Sequence, residues 1–265
     1  MTDTGTDKLL VTVDDGIARL TFNDPATRNA LGAEITEALS VALRALQADD
    51  DVRVVVVTGA GGKAFASGAN IAEFGERRTT PEARARYDEA AAATARAWTS
   101  LETPIIAMIR GHCIGGGLLT AMQADIRIAS DDAQFAIPAA RLGLGYGFGG
   151  VQTLVDLVGP GWAAELLFSA RRLGAAEALQ AGLVNRVVPG DRLDDEVTDL
   201  ARAIRANAPL TVRACKVALR ESRREPGRRD LERVAELVEA CFRSEDYREG
   251  QRAFLEKRPP QFLGR

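Results

Sequence analysis

A run of β-branched residues at positions 52–58 constrains the fold more than any other feature of the sequence. It reads Val-Arg-Val-Val-Val-Val-Thr, so apolar residues follow one another instead of alternating with polar ones. A strand of this composition is buried on both faces, which is typical of sheets covered by helices on each side. A second apolar run at 104–109 repeats the pattern, and a glycine-rich segment follows each run. The sequence therefore predicts an α/β core in which buried strands end in glycine-rich loops.

The segments around these two runs have the periodicities of further strands and helices. We predict a hairpin at 9–13 and 17–22, helices at 32–48 and 81–101, and another strand at 125–130. From residue 192 onward helices follow one another, with breaks at Ala208-Pro209 and Pro226-Gly227. We therefore expect residues 1–191 to form the core and residues 192–265 to form a helical C-terminal region that mediates oligomerisation.

The composition excludes several classes of partner. Its 34 basic and 37 acidic residues are interspersed, which argues against a nucleic-acid-binding surface. The apolar stretches are far shorter than the ~20 residues that cross a bilayer. Three scattered cysteines, Cys113, Cys215 and Cys241, predict neither a disulfide framework nor a metal site. The first eight residues lack the pattern of a signal peptide, so we expect a cytoplasmic protein.

Two glycine-rich turns are candidates for binding a carbonyl oxygen. Residues 65–71 follow a buried strand, and Gly68 permits a bend that turns backbone N–H groups toward a cavity. The triplet Gly115-Gly116-Gly117 precedes a predicted helix, whose first N–H groups have no partner within the helix. Two such donors on one oxygen would form an oxyanion hole, where each donor contributes about 3 kcal/mol in the transition state. The alternative for either turn is tight packing at a corner between a strand and a helix.

Dinucleotide binding is a competing interpretation of the glycines. Residues 145–150 match G-x-G-x-x-G, and residues 59–64 match its variant that ends in alanine. The first match follows Pro138-Ala139-Ala140-Arg141, which is not a strand pattern. The helix that should follow the second is broken at Ser67-Gly68. We therefore reject both matches.

Several spaced motifs together resemble the crotonase (enoyl-CoA hydratase/isomerase) superfamily. They are residues 25–31, residues 65–71, residues 111–117, Ala124-Asp125-Ile126, Ala133-Gln134-Phe135, Ala181-Gly182-Leu183-Val184 and residues 253–258. The resemblance spans nearly the whole chain. It implies an α/β spiral of strand-strand-helix units with a C-terminal helical region, assembled as a trimer or a dimer of trimers.

The resemblance also implies the site residues. Members of the superfamily bind an acyl-CoA and hold its thioester enolate with two backbone N–H groups, which by motif position belong to Ala69 and Gly116. Contacts to CoA fall on Arg28 near the phosphates and on the backbone of Ala66 and Ala69 near the adenine. Two further contacts, Phe254 and Lys257, are expected to reach in from a neighbouring subunit. No metal or redox cofactor is expected, because the CoA thioester is itself the substrate.

This chain departs from the hydratase pattern at its acid/base positions. Hydration needs two carboxylates that hold one water, one taking a proton and one giving it. Leu119 and Ala139 stand where the resemblance places these carboxylates, and neither side chain transfers a proton. Asn70 replaces the motif aspartate beside the first amide donor. We therefore expect that the standard mechanism with two glutamates does not operate here.

Other side chains near the motifs have both a functional and a structural interpretation. Tyr146 lies in the segment that in this superfamily lines the acyl pocket, and it resembles some decarboxylase members in placing a tyrosine there. Its hydroxyl would hold a substrate carboxylate or polarise a leaving group, or else Tyr146 is a wall residue. His112, the only histidine, would titrate near neutrality or simply be packed.

Four charged residues complete the candidates. Glu73 and Glu76 are expected at the pocket rim or on a solvated helix face. Asp125 is expected to accept hydrogen bonds from backbone N–H groups, and Arg141 to meet an acidic acyl group or a surface carboxylate.

We therefore predict an acyl-CoA enzyme that stabilises a thioester enolate. Three hypotheses remain for its reaction: an enoyl-CoA hydratase/isomerase reaction of altered mechanism, decarboxylation or double-bond isomerisation, and CoA binding without catalysis by an assembly protein.

Overall fold

A computed structural model describes residues 4–70, 73 and 80–265 of the chain. The strands are β1 (Leu9–Asp14), β2 (Ile17–Phe22), β3 (Val54–Gly59), β4 (Ala64–Ala66), β5 (Ile105–Ile109), β6 (His112–Ile114), β7 (Ile126–Ser130), β8 (Gln134–Ala136), β9 (Leu173–Gly174) and β10 (Arg186–Val188). The helices are α1 (Ala33–Ala48), α2 (Pro81–Ser100), α3 (Gly116–Ala121), α4 (Phe148–Ser169), α5 (Ala175–Gln180), α6 (Leu193–Arg205), α7 (Pro209–Ser222), α8 (Leu231–Arg243) and α9 (Glu245–Glu256).

The strands form two sheets. The larger has the order β1-β2-β3-β5-β7-β10, and only the hairpin β1-β2 is antiparallel within it. The smaller has the order β4-β6-β8-β9, with β4, β6 and β8 parallel to one another. Three strands of the larger sheet, β3, β5 and β7, are each followed along the chain by a short strand of the smaller one, β4, β6 and β8 respectively.

The β-branched run behaves as its composition predicts. Val55 and Val57 belong to the main apolar core, which the helices α1, α3, α4 and α5 also line. Val54 and Val56 lie on the opposite face of the sheet, where they pack in a second cluster with Leu193 and Val197 of α6. Helices therefore cover both faces of this sheet, and the predicted α/β core is confirmed.

The smaller sheet was not predicted from the sequence as a separate element. Its strands contain two or three residues each, and β4 and β6 lie inside segments interpreted as glycine-rich loops. A strand this short cannot show the alternation of polar and apolar residues on which strand prediction depends. These strands matter for the site because β4 and β6 lead into the two candidate turns.

The C-terminal helices form their own small core and end in a well-anchored tail. Val217 of α7 packs with Leu237 of α8. The carboxylate of Asp246 accepts hydrogen bonds from the backbone N–H groups of Leu263 and Gly264, at 2.7 and 2.8 Å. In the part of the chain that the structure describes, no helix is both long enough and apolar enough to span a membrane.

Candidate active site

The two glycine-rich turns lie against each other, backbone to backbone. Gly68, after β4, has a φ of +106°, and Gly115, after β6, has a φ of +53°. A side chain at Gly68 would place its Cβ 3.1 Å from the carbonyl oxygen of Ile114 and 3.6 Å from the nitrogen of Gly116. Glycine is needed at position 68 both for the positive φ and for this close approach.

The amides of Ala69 and Gly116 come together at this contact. A Cβ on Gly116 would lie 3.3 Å from the nitrogen of Ala69. Within the described residues, neither of these two N–H groups has a hydrogen-bond acceptor. By contrast, the amide of Gly115 donates to Ala136 at 2.8 Å and that of Asn70 donates to Leu31 at 3.4 Å. The fold therefore presents two adjacent N–H donors that its own backbone does not use.

Residues 28–31 fix the first turn from one side. Ser67 donates its amide hydrogen to the carbonyl of Arg28 at 3.0 Å, and Leu31 donates to the carbonyl of Gly68 at 2.7 Å. Arg28 has a φ of +57°, which brings its carbonyl to this position. The backbone of Arg28 and the buried end of β4 at Ala66 therefore lie beside the Ala69 turn.

Asn29 holds this region together, a role that the sequence analysis did not assign. Its side chain is fully buried, and its Nδ2 donates to the carbonyls of Ala60 and Ala64 at 3.0 and 2.8 Å. Its Oδ1 accepts from the amide of Asp24 at 3.0 Å. The sequence does contain one signal for this role. Asn29 belongs to the motif at residues 25–31, and asparagine tolerates the positive φ of 58° found there.

Apolar side chains occupy the two positions at which the resemblance places the hydratase carboxylates, and together with their surroundings they are called the apolar wall. Leu119 lies on α3 and Ala139 on the short 3-10 helix Pro138–Leu142, and both are partly buried against the main core. Leu119 converges with Tyr146, since a Cβ on Gly150 would be 2.9 Å from Leu119 Cδ2 and 3.1 Å from Tyr146 Cε1. No proton donor or acceptor is supplied by the side chains at positions 119 and 139.

Tyr146 carries a polar atom into this wall. Its hydroxyl oxygen is buried and, among the described residues, has no hydrogen-bond partner. Burial raises the pKa of the Tyr146 hydroxyl well above its usual range. The group therefore stays protonated at neutral pH and is a hydrogen-bond donor whose partner the described chain does not provide.

His112 lies on β6, paired with Ala64 of β4 and Gln134 of β8. Its Nδ1 is buried and, as far as the structure describes the chain, unpartnered. Burial lowers the pKa of His112, and the nearby charges of Arg172 and Arg28 lower it further, while Asp132 raises it. His112 is therefore neutral at pH 7, and its position in the smaller sheet matches the packed interpretation.

Two of the acidic candidates have structural partners. Asp125 accepts from the amide of Ile105 at 2.7 Å, as predicted, and also pairs with Lys216 at 2.9 Å. Glu73 accepts from the amide of Ala33 at 3.0 Å and from Asn70 Nδ2 at 2.9 Å. Arg141 is exposed on the surface. Glu76 lies outside the described residues, as does Ile71 of the first turn.

The C-terminal CoA candidates lie in a different part of this chain. Phe254 is on α9 with 83% of its surface exposed, and Lys257 caps that helix with a φ of +54°. Phe254 borders an apolar groove of about 670 Å³ between α7, α8 and α9. Neither turn of the amide pair lines this groove, and the contact of Phe254 and Lys257 with a neighbouring subunit's site stays a prediction.

Comparisons with known proteins agree with this architecture. The chain matches the family model described as Enoyl-CoA hydratase/isomerase over residues 12–265. It is 36% identical over 259 residues to a crotonyl-CoA hydratase of Syntrophomonas wolfei, covering 98% of this chain and 99% of that protein. It is 33% identical over 265 residues to the 2,3-dehydroadipyl-CoA hydratase of Escherichia coli, covering 97% and 99% of the two chains.

A solved structure has the same fold. An enoyl-CoA hydratase/carnithine racemase from Magnetospirillum magneticum superposes with a TM-score of 0.92 at 33% identity, covering 98% of this chain and 97% of that one. The spiral of strand-strand-helix units and the helical C-terminal region are thereby confirmed. The chain belongs to the enoyl-CoA hydratase/isomerase family of the crotonase superfamily, whose members are acyl-CoA enzymes.

Proposed function

We propose that this enzyme holds the thioester carbonyl of an acyl-CoA between the N–H groups of Ala69 and Gly116. The observation that carries the proposal is the adjacency of these two amides, neither of which has an acceptor among the described residues. Negative charge that develops on the carbonyl oxygen would be stabilised by two donors already in place. Such a site lowers the energy of a thioester enolate, with no need for a resident metal or redox cofactor.

The reaction that fits the wall beside this pair is decarboxylation of a 2-carboxyacyl-CoA. Hydration and isomerisation both require a group that removes or delivers a proton, and positions 119 and 139 offer only Leu and Ala. In decarboxylation the bond between Cα and the carboxylate breaks, CO₂ leaves, and its electron pair forms the enolate. The enolate then takes a proton at Cα from water. No base is needed to start the reaction.

Tyr146 is the residue that we propose to orient the carboxylate that leaves. Its buried hydroxyl is protonated and has no acceptor in the described chain. A substrate carboxylate would accept a hydrogen bond from this hydroxyl. Without such an acceptor, the hydroxyl is an unsatisfied polar group in an apolar wall. The apolar side chains at 119 and 139 would desolvate the carboxylate while the tyrosine fixes its direction.

Hydration is the second candidate, and the names of the similar proteins favour it. Both relatives described above are called hydratases. For this chain, hydration would require a proton-transfer group at a position other than 119 and 139.

We propose that the CoA part contacts Arg28 and the backbone of Ala66 and Ala69, with Phe254 and Lys257 supplied by a neighbouring subunit in a trimer or hexamer. Support comes from Arg28 lying beside the turn and from the exposure of Phe254 on a separate surface.

Turnover of methylmalonyl-CoA, crotonyl-CoA and a 3-enoyl-CoA separates the hypotheses. We expect methylmalonyl-CoA to release CO₂, and crotonyl-CoA hydration to be slower by orders of magnitude than in a relative with two glutamates, since each positioned acid or base contributes ~10²–10⁴-fold. Rapid hydration of crotonyl-CoA would contradict the proposal. Tight binding without turnover of any of the three would instead support a CoA-binding assembly protein.

A further inference from the structure

The N-terminus of α1 is capped by a residue from a distant part of the chain. The N-cap residue of this helix is Gly32, which has no side chain to accept a hydrogen bond. Instead, Oε2 of Glu73 accepts from the amide of Ala33 at 3.0 Å. Any side chain at position 32 would place its Cβ 2.3 Å from Oε1 of Glu73, so glycine there makes the approach possible. A negative side chain at this end of a helix is favoured by the helix dipole.

The second oxygen of the same carboxylate holds the turn that carries Ala69. Oε1 of Glu73 accepts from Nδ2 of Asn70 at 2.9 Å. A backbone hydrogen bond joins the same two residues, because the amide of Glu73 donates to the carbonyl of Asn70 at 3.1 Å. One side chain therefore joins a helix of 16 residues to the residue next to the proposed amide donor.

The turn that carries Ala69 needs such a link because its own backbone is free to rotate. Gly68, immediately before Ala69, has a φ of +106° and no side chain to restrict rotation. On one side, hydrogen bonds with Leu31 hold the carbonyl of Gly68 and the amide of Asn70. The bonds to Glu73 hold the turn on the other side.

We propose that Glu73 is a positioning residue, which aims the N–H of Ala69 at the substrate oxygen by tying Asn70 to the start of α1. This inference rests on the proposed function of the amide pair. It differs from the two roles expected from the sequence, since Glu73 acts on the turn and not on the reacting atoms. A displacement of about 1 Å in such a donor lowers catalysis by up to about 10²-fold.

A carboxylate suits this position better than an amide of the same shape. Both partners, the amide of Ala33 and the Nδ2 of Asn70, are donors, so position 73 must accept twice. Glutamine has one acceptor oxygen, and its NH₂ group would face one of the two donors. Glu73→Gln should therefore break one of the two links while preserving the volume of the side chain.

The test is the infrared carbonyl band of bound crotonyl-CoA labelled with ¹³C at the thioester carbonyl. An oxyanion hole lowers this stretching frequency by polarising the bond, and a change in helix stability alone does not. We expect a lowered frequency in the wild type, at least half of the shift lost in Glu73→Gln, and Kd within about threefold. Asn70→Ala, which cuts the same link from the other end, should lose a similar part of the shift.

Glu34→Gln is the matched control. Glu34 is an acid in the first turn of the same helix, but it bonds to Thr6 and pairs with Lys8 at 3.0 Å, away from the turn. The control should keep the full shift. Circular dichroism melts of all variants confirm that they are folded at the temperature of the measurement.

The outcomes separate the two proposals. A full shift in both folded variants, Glu73→Gln and Asn70→Ala, would overturn the role of Glu73 and leave the amide pair intact. Bound crotonyl-CoA with no shift in the wild type would overturn the amide pair, and the positioning role with it. An equal loss of shift in Glu34→Gln would show that the loss does not depend on the link between Glu73 and Asn70, and would also overturn the positioning role.

Discussion

Gly116 has little room for a side chain on the side that faces Ala69. The methyl group of an alanine there would lie 3.3 Å from the nitrogen of Ala69, in the space proposed for the substrate oxygen. We expect Gly116→Ala to lower kcat at least about tenfold with the fold retained, because an oxyanion donor contributes about 10²–10³-fold. Steady-state kinetics and a thermal melt measure both quantities.

Gly149→Ala is the control for this change. Outside its own turn of helix, a Cβ at Gly149 meets no atom within 4 Å, so activity should be unaffected and stability should not fall. Unchanged kinetics in Gly116→Ala would show that the oxygen does not lie between these two amides.

The wall residues Leu119 and Ala139 should be convertible to acid/base residues. Both are partly buried against the main core, and the resemblance places the hydratase carboxylates at these two positions. We expect Leu119→Glu together with Ala139→Glu to raise crotonyl-CoA hydration by about 10²-fold or more, since two positioned groups then act on one water. The rate of loss of the crotonyl-CoA absorbance measures this.

The single variants Leu119→Glu and Ala139→Glu serve as controls, because each supplies only one of the two groups. A folded double variant that hydrates no faster than the wild type would mean that these positions do not face the substrate double bond.

How far the site could be predicted differs from one residue to the next. The two glycine-rich turns were recognisable as candidate donors because each follows a buried strand, whereas the assignment of the donors to Ala69 and Gly116 came from motif position in the resemblance. The contacts of Asn29 and Glu73 were not predicted. Both act on backbone groups from other parts of the fold, and only the tertiary structure brings those groups within reach.

At the scale of elements, the long strands and helices were the predictable part of the fold. A run such as Val54–Gly59 has enough β-branched residues to identify a strand from composition alone. The smaller sheet escaped prediction because three residues such as Ala64–Ala66 contain less than two full alternations. Its pairing is decided by the larger sheet, which places the ends of β3 and β5 side by side.

The end of α9 should give the protein part of its sensitivity to acid. Hydrogen bonds from Arg258, at 2.6 and 2.9 Å, and from the amide of Gln261, at 3.0 Å, lower the pKa of Glu249 to about 2. A carboxyl whose pKa is lower in the folded state than its ordinary value of 4.5 stabilises the fold above that value. This stabilisation is lost as the pH falls from 4.5 toward 2.

Glu249→Gln should therefore weaken the dependence of the free energy of unfolding on pH between 2 and 4.5. Urea unfolding at a series of pH values measures it. Glu239→Gln is the control, because this exposed residue of α8 pairs only with Arg243, at 3.2 Å, among its described contacts. If the free energy of unfolding of Glu249→Gln depends on pH between 2 and 4.5 as steeply as that of the wild type, the assigned role of Glu249 is wrong.

At the scale of the whole molecule, the helical C-terminal region leaves apolar surface uncovered in a single chain. Leu231, Phe242, Phe254 and Leu255 are exposed by more than half, and Phe254 borders the groove between α7, α8 and α9. Apolar patches of this kind mark interaction surfaces. We expect trimers or hexamers in sedimentation velocity at micromolar concentration.

Phe254→Ser together with Leu255→Ser should weaken this assembly and also weaken CoA binding, because Phe254 is proposed to complete a neighbouring site. Phe168→Ser, an exposed apolar residue at the end of α4, is the control for a general change in surface hydrophobicity. A stable wild-type monomer at micromolar concentration would contradict the prediction.

The central claim is that the amides of Ala69 and Gly116 hold the thioester oxygen of an acyl-CoA. A crystal structure of the protein with a bound, non-reactive analogue of methylmalonyl-CoA tests it most directly. We expect the thioester oxygen about 2.7–3.1 Å from both nitrogens and the carboxylate analogue within hydrogen-bond distance of the Tyr146 hydroxyl. A bound analogue whose thioester oxygen lies out of reach of either amide would contradict it.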